Sequence, residues 1–299
     1  MQQTLRYNLL LHLTVLIFGF TAILGRLIRL DAHILVWYRL VIAITGITVY
    51  MMWRRRSFST TLRGALTIGA AGLLISSHWV LFFSAVKASN VSVTLVCLSV
   101  SPLLVAFIEP LVFKRGIRLY EVTFGILVVI GLWFIFRFES RYSQGMLLAL
   151  SAAVLSSILA VVNACLIKRY NSSIISFYEL VGGLIGLSIY LATTGLATRP
   201  FLPSLPDTGY LLILGIICTA FAYIAFVEVM KVLSPYTVML CVNLEPVYGI
   251  ILALIIFGHS EYMTPGFYAG AGLILATILG DGLLKRRESM RSAVRTGPR

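Results

Sequence analysis

Apolar runs of roughly 20 residues, the length a helix needs to cross a bilayer, recur along almost the whole chain. They fall at approximately 8–28, 33–53, 64–86, 91–113, 120–138, 145–167, 173–195, 208–230, 235–257 and 265–285. The connectors between them are short and hold most of the Lys and Arg, so no stretch is left for a soluble domain. The pattern predicts an all-α polytopic membrane protein with ten transmembrane helices. The first run is longer than a secretion-signal core and leads into Arg26 and Arg29 without a small-residue cleavage pattern, so it reads as a retained helix.

Composition agrees with this reading: 59% of residues are hydrophobic and 12% charged, where soluble domains run near ~25% charged. The net charge of +13 raises the question of nucleic acid, and its placement answers it. With the N-terminus inside, the cytoplasmic segments carry 17 of the 24 Lys and Arg: Arg6, Arg54, Arg55, Arg56, Arg63, Lys114, Arg115, Arg118, Lys168, Arg169, Lys231 and six in the tail from Lys285 to Arg299. The other side holds Arg26, Arg29, Lys87, Arg137, Arg141 and Arg199, and Arg39 falls within a span. The positive-inside rule then puts both termini in the cytoplasm of a cell-membrane protein. The basic tail is expected against anionic lipid head groups, and nucleic acid is not needed as a partner. Cys97, Cys165, Cys218 and Cys241 all lie in spans without metal-ligand spacing. They read as small buried hydrophobes, and neither metal nor cofactor is expected.

Internal repetition is the most informative feature. "WYRLV" at 37–41 matches "FYELV" at 177–181, placing Tyr38 opposite Tyr178 and Arg39 opposite Glu179 at an offset of 140. Gly46/Gly186, Tyr50/Tyr190 and Arg29/Arg169 keep the same register. Further on the offset becomes 144, relating Lys87 to Lys231, Cys97 to Cys241 and Pro102 to Pro246. The halves are therefore 1–140 and 141–299, with five helices each. An odd number of helices per half makes the second copy enter the membrane from the opposite side. Inverted repeats of this kind characterise secondary transporters, whose binding site lies near the midplane between the repeats.

The segment "NLEPVYGIILALIIFGHSEYMTPGFYAGAGLILATILG" at 243–280 resembles the closing part of the EamA repeat of the drug/metabolite transporter superfamily. The first half has its own version at 99–137, "WYRLVIA" resembles the family's second helix, and "IFGFTAI" resembles its first, with Phe18 in place of Trp. Where the family usually has Gly-Glu at the turn, this chain has Phe-Lys-Arg-Gly in one half and Gly-His-Ser-Glu in the other. The resemblance implies transport of amino acids, other metabolites or drugs, or exchange of nucleotide sugars and sugar phosphates. Export is the family's common direction in bacteria, which points to the inner membrane.

Ionisable groups inside spans are functional candidates by default. Glu245 falls about ten residues into its helix, or roughly 15 Å deep at ~1.5 Å per residue. An unpaired charge there costs about 2.5–3.5 kcal/mol. Pro246 beside it removes the Val242 carbonyl from the helix ladder, so the pair forms a polar notch for an ammonium group or a proton. The other reading is a protonated Glu hydrogen-bonded to a neighbouring helix. Arg39 and Glu179 hold matching positions in the two halves, either as gates at opposite mouths or as snorkelling side chains. Glu109 and Glu228 lie nearer the cytoplasmic face, where snorkelling is the simpler account. His78 and Trp79 offer polarity and aromatic surface to a cavity or, equally, to packing. Tyr38, Asn163, Tyr178, Tyr223 and Tyr248 complete a candidate lining, and tyrosines also favour lipid interfaces. The GxxxG spacings Gly182–Gly186 and Gly266–Gly270 permit close helix approach, for scaffolding or for a homodimer, although a monomer suffices for transport.

Three classes compete. A membrane-embedded enzyme lacks a catalytic set, since His12, His33, His78 and His259 show no ligand spacing. A channel or structural protein does not require duplicated halves with different polar residues at matching sites. A secondary carrier accounts for all of it, and no Walker A motif points to ATP hydrolysis. A zwitterionic amino acid suits a midplane carboxylate with aromatic walls. A nucleotide sugar calls for more buried cations than Arg39 alone and is the alternative.

Overall fold

The computed structural model describes residues 2–114, 116, 119–196, 202–242 and 244–295, and these are helical throughout, with no strand among them. Arg115, Arg118, Arg199 and the side chains of the basic tail from Lys285 onward lie outside the described residues. Helices α1 (Gln2–Leu27), α2 (Ala32–Trp53) and α3 (Leu62–Ala88) are continuous. The fourth apolar run divides into α4 (Val91–Leu98) and α5 (Ser101–Phe113). Next come α6 (Leu119–Phe138), α7 (Ser143–Leu166) and α8 (Ser172–Thr194). The eighth run is interrupted: α9 (Leu205–Gly215) passes through a π turn (Ile216–Phe221) into α10 (Ala222–Val229). The ninth divides into α11 (Pro235–Val242) and α12 (Leu244–Phe257), and α13 (Pro265–Arg295) follows. Among the described residues eight helical runs are long and apolar enough to cross a membrane, while Thr123–Phe138 is apolar but shorter.

Local chemistry sets these boundaries. The Thr61 hydroxyl accepts the Gly64 N–H at 3.0 Å to start α3, and the Asn90 side chain accepts the Val93 N–H at 2.8 Å to start α4. After each break a proline occupies the first helical turn, Pro102 in α5 and Pro246 in α12. There its missing N–H deprives the helix of nothing. The far ends of these helices also match: Lys114 (φ 54°) follows α5 and Gly258 (φ 56°) follows α12, both left-handed and spaced like the two prolines. Glycine adopts that conformation freely, whereas a side chain there costs about 1–2 kcal/mol. Lys114→Gly is therefore expected to stabilise the protein by up to about 1 kcal/mol, seen as a higher thermal midpoint in detergent. An unchanged or lower midpoint would show that the turn holds no strain.

The halves interlock. α3 lies along α7 and α8 of the second half, so close that a β-carbon on Gly183 would stand 2.7 Å from the Gly72 carbonyl. One on Gly182 would collide with the Gly69 carbonyl. At the α6–α13 seam a β-carbon on Gly270 would stand 2.7 Å from the Gly131 carbonyl. The glycines of both GxxxG spacings are thus engaged inside one chain. Phe267 and Ile274 of α13 pack with Val128 and Ile135 of α6 in an apolar cluster of their own, shared with α4 and α7.

The two ends of the bundle are tied differently. At one end Arg56 donates to Ser173 at 3.1 Å, the Tyr178 hydroxyl donates to the Phe58 carbonyl at 3.0 Å, and Lys231 pairs with Glu228 at 2.8 Å. Glu228 also accepts the Ser172 hydroxyl. At the other end Glu261 is fully buried at the start of α4, accepting the Val91 N–H (3.3 Å), the Ser92 N–H (2.9 Å) and the Ser92 hydroxyl (2.7 Å). It pairs with Arg26 of α1, whose guanidinium also lies 4.4 Å from the Phe257 ring centre. Lys87 donates to the Ile28 carbonyl at 2.8 Å and Asp207 accepts the Arg29 N–H at 3.0 Å, closing the same end.

Candidate functional site

The helix breaks and the middles of α1, α2, α3, α7 and α10 line a cavity of about 100 Å³. Its polar corner is Arg39 on α2, only 2% exposed. The Arg39 Nε donates to the Thr219 hydroxyl at 2.7 Å, and the guanidinium carbon lies 3.7 Å from the Trp79 ring centre. The planar cation over an indole face is a favourable cation–π pair in a desolvated setting. Thr219 belongs to the π turn and donates to the Leu214 carbonyl, five residues back, at 2.6 Å. The extra residue in that turn is what accompanies the hydroxyl's presentation to α2, and π turns often mark functional sites. Arg39 Nη1 has no hydrogen-bond partner among the described residues, so the guanidinium keeps donor capacity for a ligand in the cavity it lines.

Glu245, 6% exposed, opens α12 and lines the same cavity with Pro246. No hydrogen bond to its carboxylate occurs among the described residues, and it interacts electrostatically with Arg39. Its counterpart in the first half is Ser101, which also lines the cavity and lies 3.1 Å, oxygen to oxygen, from Ser156 of α7. Both helix breaks therefore deliver polar groups to one space, the arrangement that discontinuous helices provide in carriers.

Aromatic rings form the remaining wall. Trp79 meets Tyr223 edge-on at 6.0 Å, Tyr223 stacks on Phe226 at 6.3 Å, and Phe18 leans on Phe226 at 5.7 Å. His78 stacks on Phe82 at 6.2 Å, and its Nδ1 lies 2.9 Å from the Ala152 carbonyl, so that nitrogen carries the hydrogen.

The sequence candidates thus separate into groups. Arg39, His78, Trp79, Tyr223, Glu245 and Pro246 share the cavity. Glu179 and Asn163 are both fully buried outside its wall. The Tyr223 hydroxyl donates to Glu179 at 2.6 Å and accepts the Asn163 amide at 3.2 Å, so Tyr223 has its ring in the cavity and its hydroxyl in a second polar cluster. Neither Arg39 nor Glu179 lies at a surface. Tyr38 and Tyr178 each sit edge-on against the preceding aromatic, at 5.3 Å from Trp37 and 5.2 Å from Phe177, outside the wall. This repeats one local geometry in the two halves. Tyr248 packs on α1 beside Gly19, and Pro102 stays buried at the start of α5. Phe18, Phe226, Thr219 and Ser101 are additions; only Ser101 carried a signal, as the residue 144 positions before Glu245. Among the described residues no three His, Cys, Asp or Glu gather to hold a metal.

A helical membrane bundle whose broken helices converge on a buried polar and aromatic cavity has the organisation of a solute carrier. The EamA-like transporter family model matches residues 5–137 and again 143–280, and the chain belongs to that family. It is a multi-pass membrane transporter of small solutes, and membership points away from an enzyme. A solved structure described as "Crystal structure of protein" superposes with a TM-score of 0.69, covering 94% of this chain and 99% of that one at 16% identity. That likeness concerns the fold. No curated protein matches the chain.

Proposed function

We propose that the protein is a secondary carrier that exports amino acids, or closely similar zwitterions, across the inner membrane by alternating access. The observation that carries this reading is that Arg39 and Glu245 line one cavity. A zwitterion presents a carboxylate and an ammonium a few bonds apart, matching a guanidinium with a spare donor and a carboxylate that accepts no hydrogen bond among the described residues. Trp79, Phe82 and Phe226 supply apolar contact for a side chain. At ~10–15 Å³ per water-sized site the cavity has room for a solute of about seven to ten heavy atoms. A nucleotide sugar is several times larger and brings phosphates for which Arg39 is the sole cation on the wall. In this reading Glu245 anchors the ammonium and Arg39 the carboxylate. Tyr223 passes the solute's presence to Glu179, which keeps Arg39 and Glu179 as paired responders in the two halves.

The proposed topology is ten spans in two inverted halves, 1–140 and 141–299, with both termini cytoplasmic. The twofold family match supports the repeat, and the gathering of Arg56 and Lys231 with their partners at one end supports its orientation. One chain lines the cavity, so a monomer suffices.

Flux into liposomes containing the purified protein tests the substrate class. Amphipathic amino acids of up to about ten heavy atoms, such as leucine and methionine, are expected to cross at least tenfold faster than nucleotide sugars, as the loss of one charge-assisted contact predicts. The reverse ranking would assign the protein to nucleotide-sugar exchange.

A further inference from the structure

A second concave site lies away from the transport cavity and shares no residue with it. It is a groove of about 710 Å³ where α3, α5 and α7 meet at the arginine-rich end of the bundle. Three cations line it: Arg63 from the first turn of α3, and Lys168 and Arg169 from the connector after α7. Among the described residues no Asp or Glu lines it, and none of the three cations forms an ion pair. The Lys168 ammonium lies 4.4 Å from the Phe113 ring centre, which holds its charge over the groove's α5 side. The start of α3 at Leu62, just after Thr61, adds the positive end of a 27-residue helix.

Apart from the hydroxyls of Thr61, Thr67 and Tyr170, the rest of the groove is apolar. Val112, Val161, Val162 and Leu166 form its floor. Beside it on α3 and α5 stand Leu62, Leu66 and Leu111, 77%, 66% and 76% exposed, side chains suited to a hydrocarbon surrounding. The groove thus combines three cations with a valine and leucine floor, and exposed leucines adjoin its lining residues in sequence.

We propose that this groove is a binding site for one anionic phospholipid, its phosphate held by Arg63, Lys168 and Arg169 at the α3 N-terminus and its acyl chains laid on the valine floor. Helix N-termini and arginine forks recognise phosphate, and basic pockets between membrane helices hold lipid head groups. A free phosphate satisfies the cations but makes no use of the floor, so the lipid is the better match to the whole surface. α3 and α7 also carry His78, Trp79 and Ser156, which gives an occupied groove a direct mechanical route to the transport cavity.

The test is thermal unfolding of the full chain in detergent with added phosphatidylglycerol, phosphatidylcholine of the same acyl composition, or inorganic phosphate. Phosphatidylglycerol is expected to raise the midpoint by roughly 5 °C, with little effect from the other two. The exposed-site variant Arg63→Gln/Lys168→Gln/Arg169→Gln is expected to fold with the wild-type midpoint in lipid-free detergent and to lose that rise. Cys165→Phe, which fills the groove and leaves the charges in place, should reduce the rise as well. Equal stabilisation by phosphatidylcholine, equal stabilisation by inorganic phosphate, or an undiminished rise in the triple variant would each overturn the proposal. None of these outcomes depends on which solute the central cavity carries.

Discussion

Glu245→Gln is expected to yield an inserted, folded protein whose transport falls by about 10- to 150-fold, the equivalent of one charged hydrogen bond of ~1.5–3 kcal/mol. The amide keeps the shape of the side chain and removes the charge that faces Arg39 across the cavity. Two assays distinguish the roles a carboxylate can play there. If Glu245 anchors a substrate ammonium, equilibrium binding weakens by that factor and stays weak at every pH. If it carries a coupling proton, binding survives, flux driven by a pH gradient collapses, and counterflow exchange continues. Pro246→Ala should be milder, because Glu245 remains at the start of α12. Wild-type transport by Glu245→Gln in both assays would remove the carboxylate from the mechanism and leave Arg39, His78 and Trp79 to define the site.

Glu261→Gln should have the largest effect on stability. The carboxylate is fully buried, collects three donors from the start of α4 and pairs with Arg26, whose side chain is 26% exposed. Removing one member of a buried pair costs roughly 3–5 kcal/mol, and the partial exposure of Arg26 places the expected loss near ~3 kcal/mol. Chemical unfolding in detergent reads the loss, and a double-mutant cycle with Arg26→Gln isolates the pair. Because this pair ties α1, α4 and the turn after α12 at one end, the same substitution should increase labelling of cysteines introduced below it from that side. A stability change under ~1 kcal/mol, the range of exposed ion pairs, would show that the contact is dispensable.

The two predictions differ in how far the sequence announced them. Glu245 was conspicuous because a charge and a proline in an apolar run violate what a bilayer tolerates, and that conflict is visible in one dimension. Glu261 stood out only as the end of the Gly-His-Ser-Glu turn and not as a buried charge; its burial comes from α4 and α1 folding over it. Nominal depth was readable along each helix, since rise converts residue number into height. Azimuth was not. Tyr38 precedes Arg39 by one residue, which turns it about 100° around the helix, so one packs on Trp37 while the other enters the cavity. Thr219 was hidden for another reason, because the π turn that brings it to Arg39 leaves no hydrophobic period to read. The helix divisions fall just before Pro102 and Pro246, the two prolines aligned by the 144-residue offset, whereas Pro110 lies inside α5 without a break.

The seam between α3 and α8 sets a limit on how this sequence can drift. Gly69 and Gly72 on one side, and Gly182 and Gly183 on the other, bring two backbones to within touching distance. A β-carbon on Gly72, Gly182 or Gly183 would add an atom where the facing backbone already is. α3 carries His78 and Trp79, while α8 carries Glu179, so such a change would be felt in the spacing of the transport machinery as well as in packing. Random mutagenesis scored by growth should find Gly72, Gly182 and Gly183 nearly closed to replacement, alanine included, while the exposed Leu73 and Ile185 on the same two helices accept many residues. The gene can change its cavity wall one side chain at a time, but the gauge between the halves is fixed by the absence of side chains.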